Sequence, residues 1–359
     1  FDNSKETDSD AQFHIYREAF PEGYQIHHSP AEGMLDAAKI ERLRTGKSKD
    51  FAFGILRSKE DRGKNSARLR IYQSKNLFLS TTLPILDNFG LKIVDQKSFD
   101  ISPSSGERFI VDTFQVHGVD SDDHPLIGSS ELVIESLEAI FNGATSSDQL
   151  DRLILKVGID HRDVDLLRNQ LHYLHQLGIS TTIAFASQTL SQHAGITRDL
   201  LKFYKIRFDP ELDLDATERE VRSKVIRDKI FRSLNDVRSS AQDIFLRRIL
   251  GILDSTLRTT RFTRSDSPLQ AYKFDSMALP VGNPPRPWRE IFVHHPEVEG
   301  VHLRGGPLAR GGLRWSDRIT DYRTEVHGLQ RTQMVKNVLI VPVGAKGGFV
   351  LRKPSSDRA

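Results

Sequence analysis

The chain has 359 residues, 38% of them hydrophobic and 28% charged, and a net charge of only +3 from 51 basic and 48 acidic residues. This is the composition of a soluble globular protein of two or three domains, and so balanced a charge argues against a nucleic-acid partner. The lack of cysteine excludes disulfides and thiolate metal sites and suits a reducing cytoplasm; no apolar run reaches membrane-spanning length and no signal peptide opens the chain, so no membrane partner is expected.

Residues 1–46 read as an N-terminal helical segment. A polar, acidic opening gives way to Phe13, Tyr16, Phe20 and Tyr24, then to Ser29-Pro-Ala-Glu32, a capping box with proline at the first helical position. The helix that follows carries Leu35, Ala38, Ile40 and Leu43 and should stop near Gly46. Residues 47–145 alternate strands over 51–58 and 67–73, a helix over 80–89, strands over 91–96 and 108–117, and a helix over 129–141. The first two strands form a hairpin across a charged loop. Strand, strand, helix, strand, strand, helix is an α+β pattern, with helices expected on one side of an antiparallel sheet.

Residues 146–257 are helical. Val164, Leu167, Leu171, Leu174 and Leu177 recur at helical spacing before Gly178. His161, His172 and His175 punctuate that helix and read as ordinary histidines, because His172 and His175 have no clear carboxylate at ligand spacing and neutral surface histidines are common. Helices follow over 222–237 and 240–257, the second with a Ser240/Asp243 capping box. Residues 258–359 open a further domain, with strands over 272–279, 290–294 and 300–303 on either side of a proline-rich crossing at 280–288. His294 and His295 read as a strand end.

The chemistry gathers in four ordered blocks: Ala309-Arg-Gly-Gly-Leu-Arg-Trp-Ser-Asp-Arg318, Arg323-Thr-Glu-Val-His-Gly-Leu329, Gln333-Met-Val-Lys-Asn337 and Val341-Pro-Val-Gly-Ala-Lys-Gly-Gly-Phe349. Residues 321–333 predict a helix, which puts Gln333 and Lys336 one turn apart on a shared face, an amide beside an ammonium suited to a carboxylate. The apolar run 337–343 predicts a buried strand that delivers Gly344 to Gly348 as a loop at its C-terminal end. Alone, that pentapeptide reads as a glycine turn carrying a solvated lysine; it lacks the spacing of a phosphate-binding P-loop. Held near other cations and away from water, such a lysine would exchange protons near neutral pH.

Taken together, the four blocks resemble the substrate-binding segment of glutamate dehydrogenases, in particular the large-subunit, NAD-specific class, and the resemblance extends more thinly over most of the chain. It implies a mixed α+β and α/β fold: an ACT-like or ferredoxin-like module, a helical middle region and the start of a substrate-binding domain. It also implies oxidative deamination of L-glutamate to 2-oxoglutarate and ammonia with NAD as oxidant, in a cytoplasmic homo-oligomer open to an amino-acid effector. Carried over by position, Lys346 matches the catalytic lysine. Gln333 and Lys336 match residues that hold the α-carboxylate, and Arg310, with Gly311 and Gly312, falls where the smaller hexameric enzymes place a lysine for the distal carboxylate. A glycine-rich dinucleotide fingerprint is absent, so the NAD site is expected outside this chain, which begins at Phe1 and reads as a piece of a longer polypeptide. The alternative is a non-catalytic amino-acid-sensing module in residues 47–145, or a structural spacer.

Overall fold

The computed structural model describes residues 14–57, 66–118, 126–263, 267–336 and 343–353, the side chains of residues 335 and 336 excepted. They divide into two compact units, residues 1–143 with 147–161, and residues 144–146 with 162–359. The expected loop between the first two strands and the run 337–342 lie outside the described residues.

The first unit opens with helices α1 (Glu22–His27) and α2 (Pro30–Arg44). Both halves of the capping box at Ser29 and Glu32 form, and Gly46 follows in the left-handed conformation at φ 71°. Strands β1 (Phe51–Leu56), β2 (Ser66–Gln73), β3 (Lys92–Ile101) and β4 (Phe109–His117) alternate with helices α3 (Leu79–Asn88) and α4 (Ser130–Phe141), and α5 (Arg152–Val157) follows. All neighbours are antiparallel, in the order β1-β2-β4-β3. Strands β2 and β3, joined through α3, flank β4, which is a split βαβ arrangement. The sheet is covered on both faces, not on one. Tyr72 and Val111 join Ile40 and Leu43 of α2 in one apolar cluster, while Phe141 of α4 packs on Phe51 and Phe53 at 5.4 and 5.3 Å between ring centroids. The reason is the near-continuous burial of β2 and β4, the pattern of a strand with no wet face. Helix α2 buries Asp36, Ile40 and Leu43 and leaves Leu35 and Ala38 exposed, because β2 presents Arg70, a buried cation that needs a carboxylate beneath it.

The second unit holds α6 (His161–Gln176), α7 (Ile183–Gln192), α8 (Ala194–Phe208), α9 (Ala216–Leu234) and α10 (Ser240–Ser255), then a six-stranded sheet. Helix α10 is capped by Ser239, whose hydroxyl accepts from the Gln242 amide, one residue earlier than expected. The strands are β5 (Thr256–Thr259), β6 (Gln270–Asp275), β7 (Arg289–His295), β8 (Val298–Arg304), β9 (Ala309–Trp315) and β10 (Val343–Leu351), with α11 (Tyr322–Lys336) between the last two. Their order is β5-β6-β7-β8-β10-β9, antiparallel except for the pair β9/β10. Burial alternates strictly along β7 and β8, as it must when one face is covered and the other is not. The covered face lies under α6, where Tyr173 stacks on Phe274 at 4.4 Å, and under α11, where Val326 lies over Gly348. No helix among the described residues is long and apolar enough to cross a membrane.

Candidate active site

The four motif blocks meet where β9, β10 and α11 come together. Gly344 to Gly348 are not a loop: they run inside β10, paired in register with β9 so that Gly344 faces Arg310, Ala345 faces Gly311 and Lys346 faces Gly312. The glycines are there for close approach of neighbouring groups. A Cβ on Gly344 would come within 2.9 Å of the Gln333 side chain, and one on Gly348 within 2.4 Å of the Val326 methyl. One on Gly311 would land 1.4 Å from the Ala345 carbonyl oxygen. Bare backbone is the only surface on which this helix can lie so low.

Side chains alternate along a strand, so Gly344, Lys346 and Gly348 point to the helix side. Arg310, Gly312 and Arg314 of β9 share that side, as the 3.0 Å ion pair from Arg314 to Glu325 of α11 shows. Lys346 is half-buried between the two glycines. Gln333 lies over Gly344 and donates to the Arg310 carbonyl oxygen at 3.4 Å. Its Oε1 is buried with no hydrogen-bond partner, an acceptor left over in the middle of the cluster. The structure therefore gathers Arg310, Gly311, Gly312, Gln333 and Lys346. Lys336 ends α11 one turn beyond Gln333, and its side chain lies outside the description.

The start of α11 is pinned hard. Arg323, buried, donates to both oxygens of Glu290 at 2.8 and 2.5 Å, and Tyr173 donates to the same carboxylate at 2.8 Å. Burial works against the Arg323 charge, but Glu290 outweighs it and holds the guanidinium above its ordinary pKa. Ser316 donates to Glu325 at 2.6 Å and Tyr322 to Glu299 at 3.1 Å. None of these anchors stands out in sequence, because Glu290 is 33 residues from Arg323 and lies on β7, not on the helix. The one available signal was its phase, the buried position of an alternating strand.

A second polar cluster also escaped sequence reading. His172 of α6, His294 of β7 and Glu299 of β8 bring their side-chain nitrogen and oxygen atoms within 4.8 Å of one another. Glu299, the carboxylate missing from the helix itself, is supplied by a strand 127 residues further on, so spacing along the helix could not reveal it.

A split βαβ unit, a run of helices and a glycine-lined strand carrying a lysine follow one another along the chain. Four family models then match in succession: glutamate dehydrogenase helical motif 2 over residues 6–43, its ACT3 domain over 50–126, its helical motif 3 over 145–210, and the bacterial NAD-glutamate dehydrogenase catalytic domain over 229–359. Proteins named NAD-specific glutamate dehydrogenase from Pseudomonas aeruginosa and Halomonas elongata are each 35% identical over 347 residues, 94% of this chain, and one from Mycobacterium tuberculosis is 32% identical over 354. The chain belongs to the NAD-specific glutamate dehydrogenase family. It spans 21% of the length of these relatives.

Proposed function

We propose that this chain supplies the substrate-holding part of an enzyme that oxidises L-glutamate to 2-oxoglutarate and ammonia with NAD, as a cytoplasmic homo-oligomer. In this reading Gln333 and Lys336 hold the α-carboxylate. Arg310 takes the distal carboxylate, which its planar guanidinium can grip with two parallel hydrogen bonds as a lysine cannot. Gly311 and Gly312 keep that approach free of side chains. Lys346 is the catalytic residue: its ammonium faces the carbon under attack, stabilises negative charge on the oxygen as imine is hydrolysed to ketone, and passes a proton to or from water. Fixing both ends of a five-carbon diacid sets that carbon at one place, which converts binding energy into orientation.

NAD supplies the hydride acceptor in this reading. The described residues do not themselves fit it, since their only parallel pairing is β9 with β10 and no glycine-rich turn among them leads from a strand into a helix.

The observation that supports the reading best is the register that sets half-buried Lys346 against Gly312, two residue pairs from Arg310, which pairs with Gly344 under Gln333. The test is calorimetric titration of the 359-residue chain with 2-oxoglutarate. Lys346→Met keeps the apolar stem and is expected to weaken binding by about tenfold, the loss of one charge-assisted contact. Equal affinity in wild type and variant, with unchanged circular dichroism, rejects the assignment. Mixed with glutamate and NAD, the chain alone is expected to form no NADH. The match of residues 50–126 to an ACT3 domain favours a second reading, an amino-acid sensor, and amino-acid binding that survives Lys346→Met would support it.

A further inference from the structure

We propose that His172, His294 and Glu299 form a binding site for a divalent first-row transition metal ion, zinc foremost, which enters by displacing the Arg352 guanidinium. Two imidazoles and one carboxylate are a donor set that zinc accepts with water in the fourth place. His294 and Glu299 are register partners across the β7–β8 hairpin and point to the same face, and α6 lays His172 over them. The His172 and His294 rings stand 5.0 Å apart with 30° between their planes.

Three details suit a metal better than a plain ion pair. His294 is 5% exposed, yet its Nε2 is buried with no hydrogen-bond partner, an expense that a metal would remove. The carboxylate is already oriented, since Tyr322 donates to Glu299 Oε1 at 3.1 Å and leaves Oε2 for the ion, the kind of outer hydrogen bond that fixes metal-binding carboxylates. A crevice of about 10 Å³ lined by Thr145, Arg168 and Gln270 opens on His294 and has room for about one water.

Arg352 marks where the cation belongs. Its guanidinium lies 2.8 Å from Glu299 Oε2 and 3.1 Å from His172 Nδ1, two of the three donors. It is 29% exposed and follows the last residue of β10, so it can swing outward. The donors must close from a spread of 4.8 Å to the roughly 3.3 Å between ligands in a tetrahedral site, a side-chain rotation.

The test needs neither glutamate nor NAD, so it stands or falls apart from the proposed reaction. Tag-free protein, stripped with chelator, is titrated with Zn²⁺ by calorimetry and with Co²⁺ by visible absorption. One ion per chain, with intense tetrahedral cobalt bands, is expected. His294→Ala and the half-exposed His172→Asn should each weaken binding by about tenfold or more, and Arg352→Ala should tighten it by removing the competitor. Binding that is unchanged in both histidine variants overturns the site, as does absence of stoichiometric binding in the folded Arg352→Ala protein. Weaker or equal affinity in Arg352→Ala overturns the displacement.

Discussion

Asp36 sits at 0% exposure in the first unit and accepts hydrogen bonds from Arg70 at 2.6 Å, Tyr72 at 2.6 Å and Tyr24 at 2.5 Å. Burial first, then the Asp36 charge, pushes both phenols above their ordinary range, so they stay protonated donors. Removing one partner of such a cluster leaves the other charge stranded in an apolar core. Asp36→Ala is therefore expected to cost about 3–5 kcal/mol in urea unfolding, and replacing both charges, Asp36→Leu with Arg70→Met, to recover most of it. Full cost in the double variant would mean that the lost hydrogen bonds, not the stranded guanidinium, dominate. Next to this cluster, His28 stacks on Tyr24 at 4.1 Å, and burial lowers its pKa. The unfolded chain thus binds a proton more readily than the folded one. That contribution is complete above about pH 6.5 and is lost as the pH falls below it. His28→Phe keeps the ring and should flatten the fall in melting temperature on the acid side; an unchanged slope would rule His28 out as its cause.

Among the elements, α11 depends on the glycines of β10 for its seat. Gly348→Ala places a methyl 2.4 Å from Val326 Cγ2; the helix must rise or the valine must turn, at about 1–3 kcal/mol of stability. Adding Val326→Ala makes room, so the double variant should be more stable than the sum of the two single losses, a coupling of about 1 kcal/mol. Additive losses would mean that the helix does not press on this strand. The same contact explains what could and could not be read ahead of the structure. The capping box at Ser29, the stops at Gly46 and Gly178 and the hairpin of β1 with β2 are local chemistry, legible in a few adjacent residues. Glycines at 344, 347 and 348 look like a turn for equally local reasons; pairing with β8 and β9, and the helix lying on 344 and 348, make them strand. Helices α7 and α8 meet at His193 without a glycine or proline between them and merge into one helical stretch on paper. Of the candidate site, the residue types were visible in the four blocks. Their meeting was not, because the alignment of β9 with β10 is a long-range pairing that no spacing encodes.

At the level of the molecule, each unit buries a core of its own and the two can be watched separately. Both tryptophans, Trp288 and Trp315, belong to the second unit. Trp288 lies against the Arg289 guanidinium at 4.5 Å and Trp315 stacks on Phe349 at 6.0 Å, so their emission reports the six-stranded sheet and is silent on the four-stranded one. Far-ultraviolet circular dichroism sees helices in both. A core lesion confined to the first unit, Asp36→Ala, should therefore lower the midpoint of part of the dichroism transition and leave the tryptophan midpoint where it was. The matching lesion in the second unit, Arg323→Ala, strands buried Glu290 and Tyr173 beneath α11 and should do the reverse, moving tryptophan emission to lower urea at about 3–5 kcal/mol. Since Arg323 holds the start of the helix that carries Gln333, its loss should also weaken 2-oxoglutarate binding, while Asp36→Ala leaves that affinity unchanged. If both variants shift both signals together, the two cores unfold as one cooperative body and the chain is a single thermodynamic domain.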